Sequence, residues 1–421
     1  MKTQSNPYLG SLLKLEEWSV KNDYKAYDTF DGLSSPLSPI FTLGGVPFLK
    51  QCWQQGIRRF PLNLRPLVGI KKNYSSKGMG FYARGYLMLH QITGDDSYLE
   101  RMRWCLDWLI ENRCPEFKGN AWGNHFDYQA RGGRIPKGTP TIVWTSLIAH
   151  AFLDAFEYTN EEKYLEMAVG AAQFSVNELG WIESADERRL CLNYTPGRKE
   201  TSKSGVISGI HNSNVLGAGM MARVHTFVPD DRYLEIGKKS VRFTVEDQLE
   251  NGAWNYGAHP MHHWVDSFHT AYNLDSINWY ISCSGDNEFA ESLQRGHDFW
   301  INTFFGDDGT PRYYDYKTRP LDIQCASQGI ESLVKLRHLN QELSLPTAKK
   351  VAQWTIDNMQ DSSGYFYYRK YPIITNTTPT LHWGQATMFT ALAILARDLE
   401  AKSENSGDVE QSEAIDSVPA N

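Results

Sequence analysis

Residues able to do chemistry gather in five short clusters along this chain. WGNHFDYQAR, 122–131, brings together an aromatic (Trp122), an imidazole (His125), a carboxylate (Asp127), an amide (Gln129) and a guanidinium (Arg131). A carboxylate in that company can act as general acid or base, or it can cap a loop and pair with Arg131. HHWVDSFHTAYNLDS, 262–276, sets Asp266 where a helix would be capped. It also spaces His269 and Tyr272 three apart, on one helical face. SGIHNSNVLGAG, 208–219, puts His211 before an apolar run, with Asn212 and Asn214 as caps or ligands. PLDIQCASQGI, 320–330, carries Gln324 and Gln328 four apart on an otherwise apolar segment. The fifth, 365–388, contains Tyr367, Arg369, His382, Trp383 and Gln385. Arg369 could hold a carboxylate or phosphate there.

Other chemistries find no support. The histidines lack HExxH spacing, and His262 with His263 is not a metal pattern. There is no Walker loop, no GxSxG elbow and no dinucleotide fingerprint after a strand. No metal and no cofactor are therefore expected.

The elements that must position these clusters come from an internal repeat. GDDSYLE (94–100), NEEKYLE (160–166), PDDRYLE (229–235) and GDNEFAE (285–291) each give a turn residue, then acids, then an aromatic at a fixed offset. Acids in a first helical turn complement the helix dipole. The aromatics Tyr98, Tyr164, Tyr233 and Phe289 are 66, 69 and 56 residues apart, which marks a repeated unit. Each signature opens an amphipathic helix and follows a more apolar one. The apolar helices are expected at 79–93, 141–158, 213–227, 268–283, 323–339 and 383–399. A helix apolar nearly all round is surrounded by neighbours. The pattern predicts an all-α fold, an (α/α)6 toroid, with the sixth outer helix drawn from the N-terminal region, for instance around 47–58. One catalytic domain spans 1–400, with an N-terminal strap to about 45 and a disordered acidic tail at 401–421. The strap holds Asp28 and Asp31 in AYDTFDGLSSPL, 26–37. Between outer and inner helices lie long loops, 114–140, 180–212, 250–267, 305–322 and 360–382. They converge on one mouth, the usual place for function on a rigid scaffold.

Composition sets bounds. A net charge of -7 gives no basic footprint for nucleic acid. No apolar run is long enough for a membrane span. Six scattered cysteines read as reduced thiols, and with no signal peptide in view a cytoplasmic location is expected. Aromatics reach 13%, and their flat faces suit sugar rings as well as helix packing.

Taken together, YDTFDGLSSPL, WGNHFDYQ, the 136–140 run, IHNSNVLGAG, DSFHTAYNLDS, LDIQCASQG, GYFYYRKY and HWGQATM resemble the bacterial polysaccharide biosynthesis proteins of the VpsJ type, over roughly 27–399. Members usually carry Arg before the Trp-Gly-Gln run, where this chain has His382. The resemblance implies a six-hairpin toroid and a role in making capsule, exopolysaccharide or O-antigen, with partners in that assembly pathway.

Three functions are carried forward. The first is a glycoside hydrolase acting on an oligo- or polysaccharide or its precursor. Asp127 and Asp266 would be its acid/base pair, and Trp122, Trp254, Tyr367 and Trp383 would stack on sugar rings. The second is a uronic-acid epimerase or lyase using His211, His269, Tyr272 and Arg369. The third is a non-catalytic glycan-binding assembly protein. Paired carboxylates across the cavity would favour the first, and paired histidines the second.

Overall fold

The computed structural model describes residues 6–130, 133–197 and 209–415, with side chains up to 401. Six helices form the inner ring: α4 (Ser76–Thr93), α6 (Ile142–Thr159), α8 (His211–His225), α10 (Ser267–Ser284), α12 (Ile323–Lys335) and α14 (Ala386–Ile415). Each contacts the next, and α14 returns to α4, so the ring is closed. They are buried almost all round: every residue of α8 from His211 to Val224 is buried. Small residues allow that crowding. A Cβ on Gly219 would lie 2.9 Å from the Ser276 carbonyl oxygen of α10.

The outer layer contains α5 (Asp96–Glu111), α7 (Glu162–Phe174), α9 (Asp231–Glu246), α11 (Ala290–Phe304) and α13 (Gln341–Met359). The repeated signature builds the tight turns between layers. Gly94, Asn160 and Gly285 end inner helices in left-handed conformation, and Asp95 and Asp230 cap the outer helices that follow. The recurrent aromatic then packs on an aromatic of the inner helix: Tyr98 on Tyr86, Tyr164 on Phe152 and Phe289 on Tyr280, at centroid distances of 6.0, 6.1 and 6.0 Å. Burying each such ring contributes about 1.5–3 kcal/mol.

The sixth outer helix is α1 (Pro7–Lys21), not the 47–58 segment. α1 buries Tyr8, Leu9, Leu12, Leu15 and Trp18, a stripe that packs on α14. Its Glu16 forms an ion pair with Arg101 of α5. α3 (Pro47–Arg59) buries only Gln54 and Ile57, too narrow a face to close a ring. It lies instead over the mouth, beside β1 (Tyr128–Ala130). The short α2 (Ser38–Phe41) leads into it.

The long loops carry the few strands. β1 pairs antiparallel with β2 (Gly133–Ile135), and β3 (Trp181–Glu183) with β4 (Leu190–Leu192). β5 (Leu321–Asp322), β6 (Arg369–Lys370) and β7 (Thr375–Asn376) make a three-stranded patch. The tail expected at 401–421 begins within α14. It continues into positions whose side chains, and from 416 on whose backbone, lie outside the described residues. Among the described residues, no helix is long and apolar enough to cross a membrane.

Candidate active site

At the mouth, the leading ends of the inner helices and the long loops enclose a cavity of about 570 Å³. Its walls come from α3, the strap, the starts of α4, α6, α8 and α10, and the loops before them. No Asp or Glu is among the described residues that line it. Four histidines are, and two of them, His269 and His382, each have a buried carboxylate behind them.

The first pair is local. Asp266 is 2% exposed and caps α10, its Oδ1 accepting from the His269 backbone N–H at 3.1 Å. Its Oδ2 receives His269 Nδ1 at 2.7 Å and Trp264 Nε1 at 3.1 Å. The carboxylate thus fixes the protonated ring nitrogen of His269, and Nε2 has no partner among the described residues. Phe268 and Tyr256 hold the ring, with centroids 3.9 and 4.5 Å away.

The second pair joins opposite ends of the chain. Tyr27 bridges to Thr380, and Leu381 donates its backbone N–H to the Tyr27 carbonyl. That strand contact brings Asp28 against His382, Oδ1 to Nδ1, with both side chains 1% exposed. Arg65 pins the strap: it pairs with Asp31 at 2.7 Å and donates to the Asp28 carbonyl. Burial alone would raise the Asp28 pKa, but His382, His125 and the Thr29 N–H bring it below the usual carboxylate value. Burial lowers the His382 pKa against the attraction of Asp28. His382 Nε2 is buried with no hydrogen-bond partner among the described residues, and the ring lies T-shaped to Trp144 at 5.1 Å.

Between the pairs lies the floor. Tyr272 Oη accepts from Lys77 Nζ and from Gln324 Nε2, each at 3.1 Å. With both lone pairs occupied, its own O–H is a donor. Burial pushes the Lys77 ammonium down to about 7, against Asp28 and Glu331, which act to raise it. Trp144 Nε1 and Asn212 Oδ1, both on the lining, are buried without partners among the described residues.

Of the residues expected at the site, His269, Tyr272, Gln129, His382 and Trp383 line the cavity. Asp266 and Gln324 stand directly behind them. His125 sits behind too, its Nδ1 3.9 Å from Asp28; burial first of all lowers its pKa to about 4. The others are placed elsewhere. Asp127 pairs with Arg134 at 2.5 Å and accepts from the Lys137 N–H, bracing the β1–β2 hairpin. Trp122 and Trp254 are core rings whose Nε1 groups donate to the Leu109 and Thr244 carbonyls, so neither presents a face to a ligand. His211 is turned into the core against Phe243, and burial lowers its pKa to about 3. Arg369 is buried and held by Asp322. Tyr367 donates to Asp361, and Gln385 is spent on the backbone of Phe366. Arg131 lies outside the described residues.

Sequence reasoning missed Lys77, Arg58, Trp144 and Phe30, and noted Asp28 only as part of a strap. Lys77 had a signal: it is a charge in the first turn of an otherwise apolar inner helix. Arg58 had none, because its helix was assigned to the outer ring. Among the described residues, no group of three or more His, Cys, Asp or Glu could hold a metal ion.

No protein-family model matches this chain, and no curated protein matches it. Solved structures do. The GH76 α-mannanase of Bacteroides thetaiotaomicron aligns with a TM-score of 0.61 at 14% identity, over 78% of this chain and 88% of that one. The cellobiose 2-epimerase of Bacillus thermoamylovorans gives 0.58 at 10% identity, over 78% and 90%. A third is an inactive variant of the α-1,6-mannanase of Salegentibacter, altered at two adjacent aspartates and bound to α-1,6-mannotriose. It gives 0.54 at 15% identity, over 77% and 90%. At such identities the likeness is one of fold: this chain is an (α/α)6 toroid, and the solved structures it is similar to are carbohydrate-active enzymes.

Proposed function

We propose that this protein is a carbohydrate-active enzyme that moves protons at a carbon of a saccharide, by epimerisation, isomerisation or elimination. His269 and His382 are its acid and base. The observation that carries this reading is the pair of imidazoles on one cavity, each backed by a buried carboxylate, with no carboxylate among the described residues of the lining. Proton abstraction from carbon needs a base, an acid and a donor for the developing oxyanion. His269 and His382 supply the first two, and Tyr272 with Lys77 the third. Glycoside hydrolysis by the common route needs two carboxyl groups flanking the bond, about 5–9.5 Å apart. Asp127 is tied into its hairpin and Asp266 is shielded by His269 and Trp264. Among the described residues of this lining there is no aspartate, let alone an adjacent pair like the one altered in the inactive mannanase.

The biological setting belongs to the same proposal: the substrate is a bacterial surface polysaccharide or its precursor, as the VpsJ-type resemblance implies. A cytoplasmic location is supported by the six cysteines, all free thiols.

The test is turnover in deuterium oxide on saccharides of the producing organism. Deuterium entering a carbon-bound position, or for elimination an unsaturated sugar ring in the product, lost in His269→Asn and His382→Asn, is the expected result. New reducing ends with neither deuterium uptake nor a carbon–carbon double bond in the product, or unchanged turnover in both variants, would overturn it.

A further inference from the structure

We infer that the saccharide bound here carries a carboxylate, a hexuronate unit, and that Arg58 is the residue that grips it. This rests on the proton-transfer reading of the same cavity. The charges on the lining are one-sided: among the described residues Arg58, Arg59 and Lys77 face the cavity and no acid does, in a chain of net charge -7. Elsewhere in the molecule, buried arginines find carboxylates. Arg65 pairs with Asp31, Arg84 with Asp154 and Glu331, and Arg369 with Asp322. Arg58 has no ion pair among the described residues. Its Nε donates to Tyr368 Oη at 3.2 Å, and its guanidinium carbon lies 4.4 Å from the Phe30 ring centre and 5.6 Å from that of Trp383.

Those contacts fix the plane of the guanidinium and leave its two terminal nitrogens with no partner among the described residues. A planar fork held by aromatic faces suits a planar carboxylate, which it can bind through two parallel hydrogen bonds. A hexuronate also suits the chemistry. The carbon next to its carboxylate is the one whose proton is most easily removed, and a cation at that carboxylate stabilises the charge that develops. The anion-binding role expected of Arg369 thus passes to Arg58.

The experiment is calorimetric titration of the full chain with three probes: a galacturonate disaccharide, a neutral mannose disaccharide and mannose 6-phosphate. The uronate should bind about 10–100-fold more tightly than the neutral sugar, the worth of one charge-assisted contact. Arg58→Met should erase that preference at unchanged thermal midpoint. If that variant folds poorly, Arg58→Lys, which keeps the charge and loses the fork, should retain only part of it. Equal binding of uronate and neutral sugar overturns the inference, as does a preference that survives Arg58→Met. Tighter binding of the sugar phosphate than of the uronate overturns the carboxylate assignment. Because binding is read without turnover, a uronate preference with neither deuterium exchange nor an unsaturated product would sink the proton-transfer reading alone.

Discussion

Deep in the ring, Arg84 reaches Asp154 at 2.8 Å and Glu331 at 2.7 Å, and Arg223 reaches Asp154 and Glu157 at 2.7 Å. Lys335 closes on Glu331 at 2.5 Å. Burial pushes the Glu331 pKa up, yet Lys335 and Arg84 outweigh it and hold the carboxyl down at about 2. One end of the same helices tells a different story. Lys77, seven residues before Arg84 on α4 and so about 10 Å nearer the mouth, has one hydroxyl for company; Arg58 above it has another. His382 Nε2, Trp144 Nε1 and Asn212 Oδ1 are buried there without partners among the described residues. Charge that the protein itself neutralises ties together four of the six inner helices, α4, α6, α8 and α12. Charge and polar groups left short of partners are desolvated at a cost, and a ligand can offset that cost. The two ends are built from the same helices and differ in who supplies the counter-charge.

Breaking each end should produce different failures. At the mouth, His269→Asn or His382→Asn should lower turnover about 10²–10⁴-fold, the usual worth of a positioned acid or base, with little change in the unfolding midpoint. In the deep layer, Arg84→Met strands Asp154 and Glu331 and should cost about 3–5 kcal/mol of stability, read from urea unfolding. Turnover per folded molecule should stay near wild type. If Arg84→Met instead changed substrate affinity at constant stability, the division between the ends would fail.

Acid should find the buried histidines at both ends. Burial lowers the His211 pKa to about 3 and that of His150, beside Arg223, well below the usual histidine value of 6.5. The unfolded chain takes up protons near 6.5 while the folded chain does not, so their stability is present above that pH. It is lost progressively as pH falls from 6.5 toward the folded values. Each such histidine adds up to about 1.4 kcal/mol per pH unit to the slope. His211→Phe should flatten unfolding free energy against pH by about one proton between roughly pH 6 and 4; an unchanged slope would show that His211 is already charged in the fold. The smallest effect belongs to the exposed hairpin. Asp127→Asn should cost about 0–1 kcal/mol and leave turnover alone, and a large loss of turnover would restore Asp127 to the catalytic site.

Much of the fold was legible. The acid-plus-aromatic signature marked the start of α5, α7, α9 and the short turn before α11, because a helix start and its first packing contact are decided within a few residues. Asp266 and His269 were legible as a pair for the same reason: a cap and the third residue of its helix are neighbours by geometry. His211 illustrates the limit. It too begins an inner helix, yet it turns to Phe243 while its neighbours Ile210 and Asn212 face the cavity. Trp122 and Trp254 looked like sugar platforms and are core rings, since nothing in a loop sequence says which side of the loop is covered.

The sequence by itself determined that helices alternate between a crowded inner layer and an amphipathic outer one, and that long loops share one end. Periodicity, capping and turn chemistry are local, and local rules suffice for them. Only the tertiary structure decided which N-terminal helix completes the outer layer, that a strap carries Asp28 to His382, and that Arg58 faces the cavity without a carboxylate. Those facts depend on contacts between residues far apart in the chain, and on which polar atoms are left unpaired after all the others have packed.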